Sequence, residues 1–525
     1  MVDFSHYPAA DALDAILEAV TQERWSMSLE MLTGLQTKLD LISSLVQETA
    51  NSLSRIHRLP PEILILIFLF VSEPLSPPGH RGPSTARQTY DLLPIIQVCR
   101  RWRQLALGTP SLWSTMCESA SGHAATDAFH DRTQQADLAV YVDRARPTPA
   151  LIGLLGLSSV GSRITELYLQ DLHDYPPTQL ATGLLAFPAP RLERVFVRRR
   201  VPRSATGAEL GEATAATLTK SVIEMFDGVA PKLKSLAFHD VPLLPSNYFE
   251  QLTHLRLSFE ACSIHWTLPD LLHLLSQCPS LKDASFLGLP THLQSTQPPT
   301  MQAALLSRLR KVEVGDCRGQ ENAATLMRTI LSHLTLPADC AVRLYGLDAH
   351  RLSPFSDLRL PLGEQHTVLS IDVSFVAITL TLASPHTHGS LSLELNTAGT
   401  TKMLLQQSIQ AFVAGSAASI LEVTISSQRV WPAWCDPTLL LSFLRNVTSV
   451  ILNDTHLVDQ CLDALRPCPS GGSEAARKVP CPHLEVLHLP SALSDLLLQK
   501  LRLVVSERQH CGCRTQLTVV DRGRI

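Results

Sequence analysis

The chain is short of charge and of aromatic rings: only 18% of its 525 residues are Asp, Glu, Lys or Arg, and 5% are Phe, Trp or Tyr. A formal net charge of −4 gives neither the basic footprint of a nucleic-acid binder nor an acidic excess. No stretch offers 18 or more apolar residues, so no membrane span is expected. The opening MVDFSHYPAADALDAIL lacks the basic start and apolar core of a secretory signal. Without secretion, the two sequons at Asn446 and Asn453 carry little weight. Twelve cysteines follow no repeated spacing, which fits free thiols in a reducing compartment, the cytoplasm or the nucleus. Chemistry-bearing motifs are also missing. There is no Walker loop and no dinucleotide glycine triplet, and GLSSVG at 156–161 is not the Gly-x-Ser-x-Gly of a nucleophile elbow. Cys511 and Cys513 beside His510 lack a second ligand pair at zinc-finger spacing, and His386 with His388 lacks a third ligand. The expectation is therefore no catalytic residue, no metal, no cofactor and no enzyme.

What is present is ample apolar material, 45% of residues, punctuated by 35 prolines. That supports roughly two to four domains at about 100–200 residues each. Residues from about 10 to 57 read as helix, with Asp11 near its start and Leu13, Ile16, Leu17 and Val20 forming a stripe. A second stripe runs Met31, Leu35, Leu39, Ile42, Val46 and Leu53, interrupted by Gly34. Two readings stay open: a coiled coil giving dimers, or a helical hairpin packed on the next domain.

Nine consecutive apolar residues, Ile63 to Val71, follow Pro60-Pro61-Glu62. A helix apolar on every side needs cover from something other than water. The spacing predicts a second helix with Ile95, Val98, Cys99, Trp102 and Ala106 on one face, Arg100, Arg101 and Arg103 off it, and Gly108 as its stop. Between the two helices, 72–90 reads as a Pro/Gly/Ser-rich loop.

From about 163 onward a fragment of three apolar residues recurs. It appears as Ile164/Leu167/Leu169, Leu192/Val195/Val197, Leu233/Leu236/Phe238, Leu252/Leu255/Leu257 and Leu281/Ala284/Phe286. It continues as Leu309/Val312/Val314, Ile420/Val423/Ile425, Val447/Val450/Leu452 and Leu484/Leu487/Leu489. The spacing fits a strand, a loop and a helix per unit, within the leucine-rich-repeat range. Residues 340–400 break the pattern and alternate as paired strands do, either as irregular repeats or as an inserted hairpin.

The segment 59–113 resembles an F-box, through LPPEIL, IF, VCRRWRQLA and PSLW in the family's order. Together with the repeats it looks like the fungal F-box proteins with irregular leucine-rich repeats. The resemblance implies a substrate-recognition subunit of a Skp–cullin–F-box ubiquitin ligase, with a Skp-family adaptor, through it a cullin, and an unknown target protein as partners. It places Leu59, Pro60, Ile63, Ile67, Val98, Cys99, Trp102 and Trp113 in or behind the adaptor contact. In a leucine-rich strand the residues between the apolar ones line an open face. That assigns Tyr168, Arg194, Phe196, Arg198, His239, His254 and Arg256, with Glu166, Asp283, Lys311 and Glu313, to a surface that binds a target or is merely solvated. Arg198, Arg199, Arg200 and Arg203 form a basic cluster for acidic groups or a solubilising loop. Trp431 and Trp434 read as packing anchors.

The expected fold class is mixed. An N-terminal helical, coiled-coil-like segment (1–57) precedes an F-box domain (58–115, insertion 72–90), a linker (116–137) and an α/β leucine-rich-repeat-like solenoid (138–520). The alternative function is a non-catalytic scaffold that binds an adaptor outside a cullin complex.

Overall fold

The protein is described from a computed structural model. It describes residues 8–23, 25–72, 86–119, 131–143, 147–172, 175–200, 222–260, 262, 264, 266–289, 304–315, 323–348, 366–374, 377–396, 409, 412–413, 417–427, 437, 441, 444–467, 479–490, 493–511, 513 and 518–521. Arg203, Trp431, Trp434 and residues 73–85 of the expected insertion lie outside these. The chain divides into two compact units. One is Met1–Ser114 with Phe129–Gln134, and the other is Thr115–Ala128 with Gln135–Ile525.

The first unit is helical: α1 (Pro8–Glu23), α2 (Leu29–Leu53), α3 (Pro61–Ser72), α4 (Ala86–Val98) and α5 (Arg100–Leu107). The stretch read as helical from 10 to 57 holds two helices, one for each of its apolar stripes. The chain breaks before Ser28, which is extended and caps α2 by accepting from the Met31 amide at 3.2 Å. The single helix expected over 95–108 is also two. Cys99 is extended (φ −160°, ψ 170°), and its Sγ accepts the Trp102 amide at 3.4 Å, so a thiol caps α5. Pro61 opens α3, where its missing N–H costs nothing, and Gly108 closes α5 as expected. Among the described residues no helix is long and apolar enough to cross a membrane.

The second unit is built on one sixteen-stranded sheet, and every strand of the described sheet but one points the same way. Its strands are β1 (Thr115–Ser119), β2 (Leu138–Asp143), β3 (Ile164–Gln170), β4 (Arg194–Arg198), β5 (Ser235–His239) and β6 (His254–Ser258). They continue with β7 (Asp283–Leu287), β8 (Lys311–Gly315), β9 (Ala341–Asp348), β10 (Val368–Val373) and β11 (Ala377–Ala383). The last are β12 (Ser390–Asn396), β13 (Glu422–Ser427), β14 (Ser449–Leu452), β15 (Val486–Leu489) and β16 (Thr518–Asp521). All nine recurring fragments lie on strands of this sheet or at their edges. The middle residues stack in register: Leu167, Val195, Leu236, Leu255, Ala284 and Val312 are successive partners, and all are buried. β1 falls within the stretch read as a linker, because Met116 is buried and its strand pairs with β2.

The irregular region resolves as a three-stranded meander. β12 runs parallel to β9 and β10 parallel to β13, while β11 lies antiparallel between them. Helices fall in the connections: α6 (Pro149–Leu155), α7 (Leu268–Ser276), α8 (Ala323–Ser332), α9 (Thr455–Ala464) and α10 (Asp495–His510). α7 shows the local logic. Asp270 accepts from both the Thr267 amide (2.7 Å) and the Thr267 hydroxyl (2.8 Å), and Leu271, Leu272, Leu274 and Leu275 are buried. The first residue after β3, β5 and β7 turns left-handed: Asp171 (φ 54°), Asp240 (φ 53°) and Gly288 (φ 63°). At Gly288 a Cβ would stand 2.3 Å from the Phe259 carbonyl oxygen, so only glycine fits.

Candidate functional site

α3 is divided between two environments. Leu64 and Phe68 are completely buried, Phe68 with its ring centroid 4.9 Å from that of Trp102. The opposite face carries Ile63, Leu66 and Phe70, the last 74% exposed, with Ile67 half-buried beside them. These four fall at i, i+3, i+4 and i+7, one continuous stripe. Val71, Leu93, Val98 and Leu107 are further large apolar side chains left open in this unit.

The helices are held from behind by polar ties. Arg101 donates to the carbonyls of His57 and Leu59, and Arg103 Nε donates to the Ile96 carbonyl at 2.8 Å. Trp102 also lies 5.9 Å from the His57 ring, and its indole N–H meets no acceptor among the described residues. Trp113 donates from Nε1 to the Ala106 carbonyl at 2.8 Å, under the Arg132 guanidinium.

The eight residues expected at the adaptor contact therefore separate. Pro60, Ile63 and Val98 are exposed, Leu59 and Ile67 are half-buried, Cys99 is a helix cap, and Trp102 joins two helices. Trp113 is buried, so it supports the surface and does not present itself. Sequence reasoning passed over Leu66 and Phe70. Their three- and four-residue spacing from Ile63 was the available signal.

The sheet face presents a second surface. Glu166, Arg194, Ser235, His254, Asp283 and Lys311 are successive register partners across β3 to β8. A parallel row, two residues further along, runs Tyr141, Tyr168, Phe196, Ala237, Arg256, Ser285 and Glu313. Arg198 pairs with His239 in the next row. All seven residues expected on the target-binding face thus share one face of the sheet, but their environments differ. Tyr168 is buried, not open: it stacks on Tyr141 with centroids 4.5 Å apart and planes within 1°. Burial, reinforced by the Glu166 carboxylate, pushes its phenol up to about 12. Phe196 and His239 are half-buried, 5.1 Å apart, and Arg198 is exposed.

Past β5 the face becomes ionic and self-neutralising. His254 meets Asp283 at 2.9 Å, Lys311 meets Glu313 at 2.9 Å, and Arg343 reaches Glu394 at 3.0 Å. At the other end Arg194 holds Glu166 at 3.0 Å. Exposed pairs of this kind contribute about 0–1 kcal/mol each, so they arrange charge more than they stabilise. Arg256 is half-buried between Ala237 and Ser285.

Five thiols of the sheet unit are packing groups. Burial pushes Cys278, Cys340, Cys461 and Cys481 up to about 12 and raises Cys262 further, so they stay protonated at neutral pH. Among the described residues no three His, Cys, Asp or Glu side chains converge as a metal site.

No curated protein matches the chain. Residues 56–119 match the F-box-like family model, a span that takes in α3, α4, α5 and the Trp102 and Trp113 packing. The chain therefore carries an F-box-like domain, built around the half-covered helix α3.

Proposed function

We propose that the protein is the substrate-recognition subunit of a Skp–cullin–F-box ubiquitin ligase. The α3 stripe docks the Skp-family adaptor, and the adaptor brings the cullin. The parallel sheet acts as an irregular leucine-rich-repeat solenoid whose laddered face holds the target protein. The chain does no chemistry of its own; it supplies proximity and orientation in the cytoplasm or nucleus. One observation carries this reading: α3 buries Leu64 and Phe68 yet leaves Ile63, Leu66 and Phe70 open. Each large apolar side chain taken from water contributes about 1.5–3 kcal/mol, so three or four suffice for a stable docking helix.

The test is affinity purification of the full chain from its native cell. Adaptor and cullin are expected together, and both are expected to be lost in the variant Leu66→Glu/Phe70→Glu. Adaptor without cullin supports the scaffold reading instead. An adaptor retained by the double variant overturns the docking assignment.

A further inference from the structure

The laddered face of the sheet is not uniform in charge. Over β3–β6 its strand positions carry one carboxylate, Glu166, against three guanidinium groups, Arg194, Arg198 and Arg256. Over β7–β9 and β12 the balance reverses, with Asp283, Glu313 and Glu394 against Lys311 and Arg343. Glu166 is engaged by Arg194 at 3.0 Å, whereas Arg198 is exposed and meets no carboxylate among the described residues. One half of the face is therefore left with an excess of positive charge, and that field draws in and orients negative groups.

The basic half also has relief. Ala237 stands between Phe196 and Arg256 in the register, a short side chain between two long ones, and all three are open in part. Strands about 4.8 Å apart put the two walls of this recess about 10 Å from each other. One wall is aromatic, since Phe196 packs beside His239 at 5.1 Å, and the other is a half-buried cation. Arg198 and Arg256 lie two strands and two residues apart, about 12 Å between Cα atoms. Separate carboxylates match that spread, whereas a single phosphate ester needs donors that converge on it. A long polyanion such as a nucleic acid would run on over β7–β12, where carboxylates are in excess.

Resting on the receptor reading above, we infer that the target protein is held through a short acidic segment on β3–β6. Its carboxylates meet Arg198 and Arg256, and an apolar side chain between them enters the recess over Ala237 against Phe196.

Random dodecapeptides displayed on phage and selected against the full-length chain are expected to converge on sequences with acidic residues around an apolar one. The selected peptide should bind at least about 10-fold more weakly to Arg198→Glu and to Arg256→Gln, and stay within about 2-fold on Lys311→Glu. Arg198 and Lys311 are exposed, so these two variants should keep the wild-type circular-dichroism melt whatever Arg256→Gln does. No convergence, convergence on neutral or basic peptides, or undiminished binding to Arg198→Glu would each overturn the inference. So would tighter binding of the same peptide with phosphoserine in place of its acids. Recovery of adaptor and cullin is read on the same variants. Their loss from the wild-type chain with the acidic selection intact refutes the receptor reading alone, and the reverse result refutes the acidic site alone.

Discussion

Phe68 of α3 and Trp102 of α5 lie with ring centroids 4.9 Å apart and planes inclined at 56°, and this pair joins the two helices. Two residues along α3, Phe70 stands 74% exposed. Phe68→Ala is therefore expected to cost about 3–5 kcal/mol through the cavity it leaves. Phe70→Ala is expected to change stability by less than about 0.5 kcal/mol while weakening adaptor capture. Denaturant melts read beside pulldown separate the two, and equal destabilisation by both would contradict the division of α3.

Arg508, in α10, is completely buried, and its guanidinium donates to the carbonyls of Leu465 (2.9 Å), Pro480 (2.8 Å) and Cys481 (2.7 Å). It ties the end of α9 to the loop before β15. Charge-assisted bonds contribute about 1.5–3 kcal/mol each, and a shorter ammonium cannot reach three carbonyls in a plane. Arg508→Lys is expected to destabilise this end of the sheet by about 2–4 kcal/mol. Hydrogen exchange should show faster opening of α10 and β15 amides, with the strands near β3 unaffected.

Two glycine substitutions are expected to act in opposite directions. At Gly288 (φ 63°) a Cβ meets the Phe259 carbonyl at 2.3 Å, so Gly288→Ala should cost at least about 2 kcal/mol. At Gly34, in α2, nothing lies within 4 Å, and Gly34→Ala should gain about 1 kcal/mol of helix stability. Thermal melts of the two variants against wild type check the signs.

Burial raises the Tyr168 phenol from 10.0 to about 12 and the stacked Tyr141 phenol higher still. The folded state holds these protons more tightly than the unfolded one. Their contribution is fully present below pH 10 and is lost as pH climbs through 12. Stability is expected to fall over that interval, less steeply in Tyr168→Phe. Denaturant melts along a pH series, with tyrosinate absorbance as the titration readout, test this.

Much of the sheet unit was legible because strand burial repeats locally. The triplets such as Leu236/Phe238 and Val312/Val314 mark strands, since inward residues two apart must both be apolar. Strand direction was not legible, because β11 alternates like any half-buried strand and only its partners make it antiparallel. The single face expected for Ile95 through Ala106 failed at Cys99, where a thiol caps α5, a role outside the usual Ser, Thr, Asp and Asn. Tyr168 sat at the right register but was read as open. Its burial depends on a stacking partner, Tyr141, that precedes the repeats detected. At the docking surface the helix was legible from its apolar run, but which half faced inward awaited Trp102, thirty-odd positions away in the chain.

The meander β10–β12 has a mechanical corollary. Its links, residues 374–376 and 384–389, are too short to contain a crossover helix. Leu369, Ile371, Ile378 and Leu380 are nonetheless buried, as part of the core that runs through the sheet unit. With no helix in its own links, this stretch of the sheet takes its cover from segments outside the meander, so its strands depend for insulation on parts of the chain that are not adjacent to them in sequence.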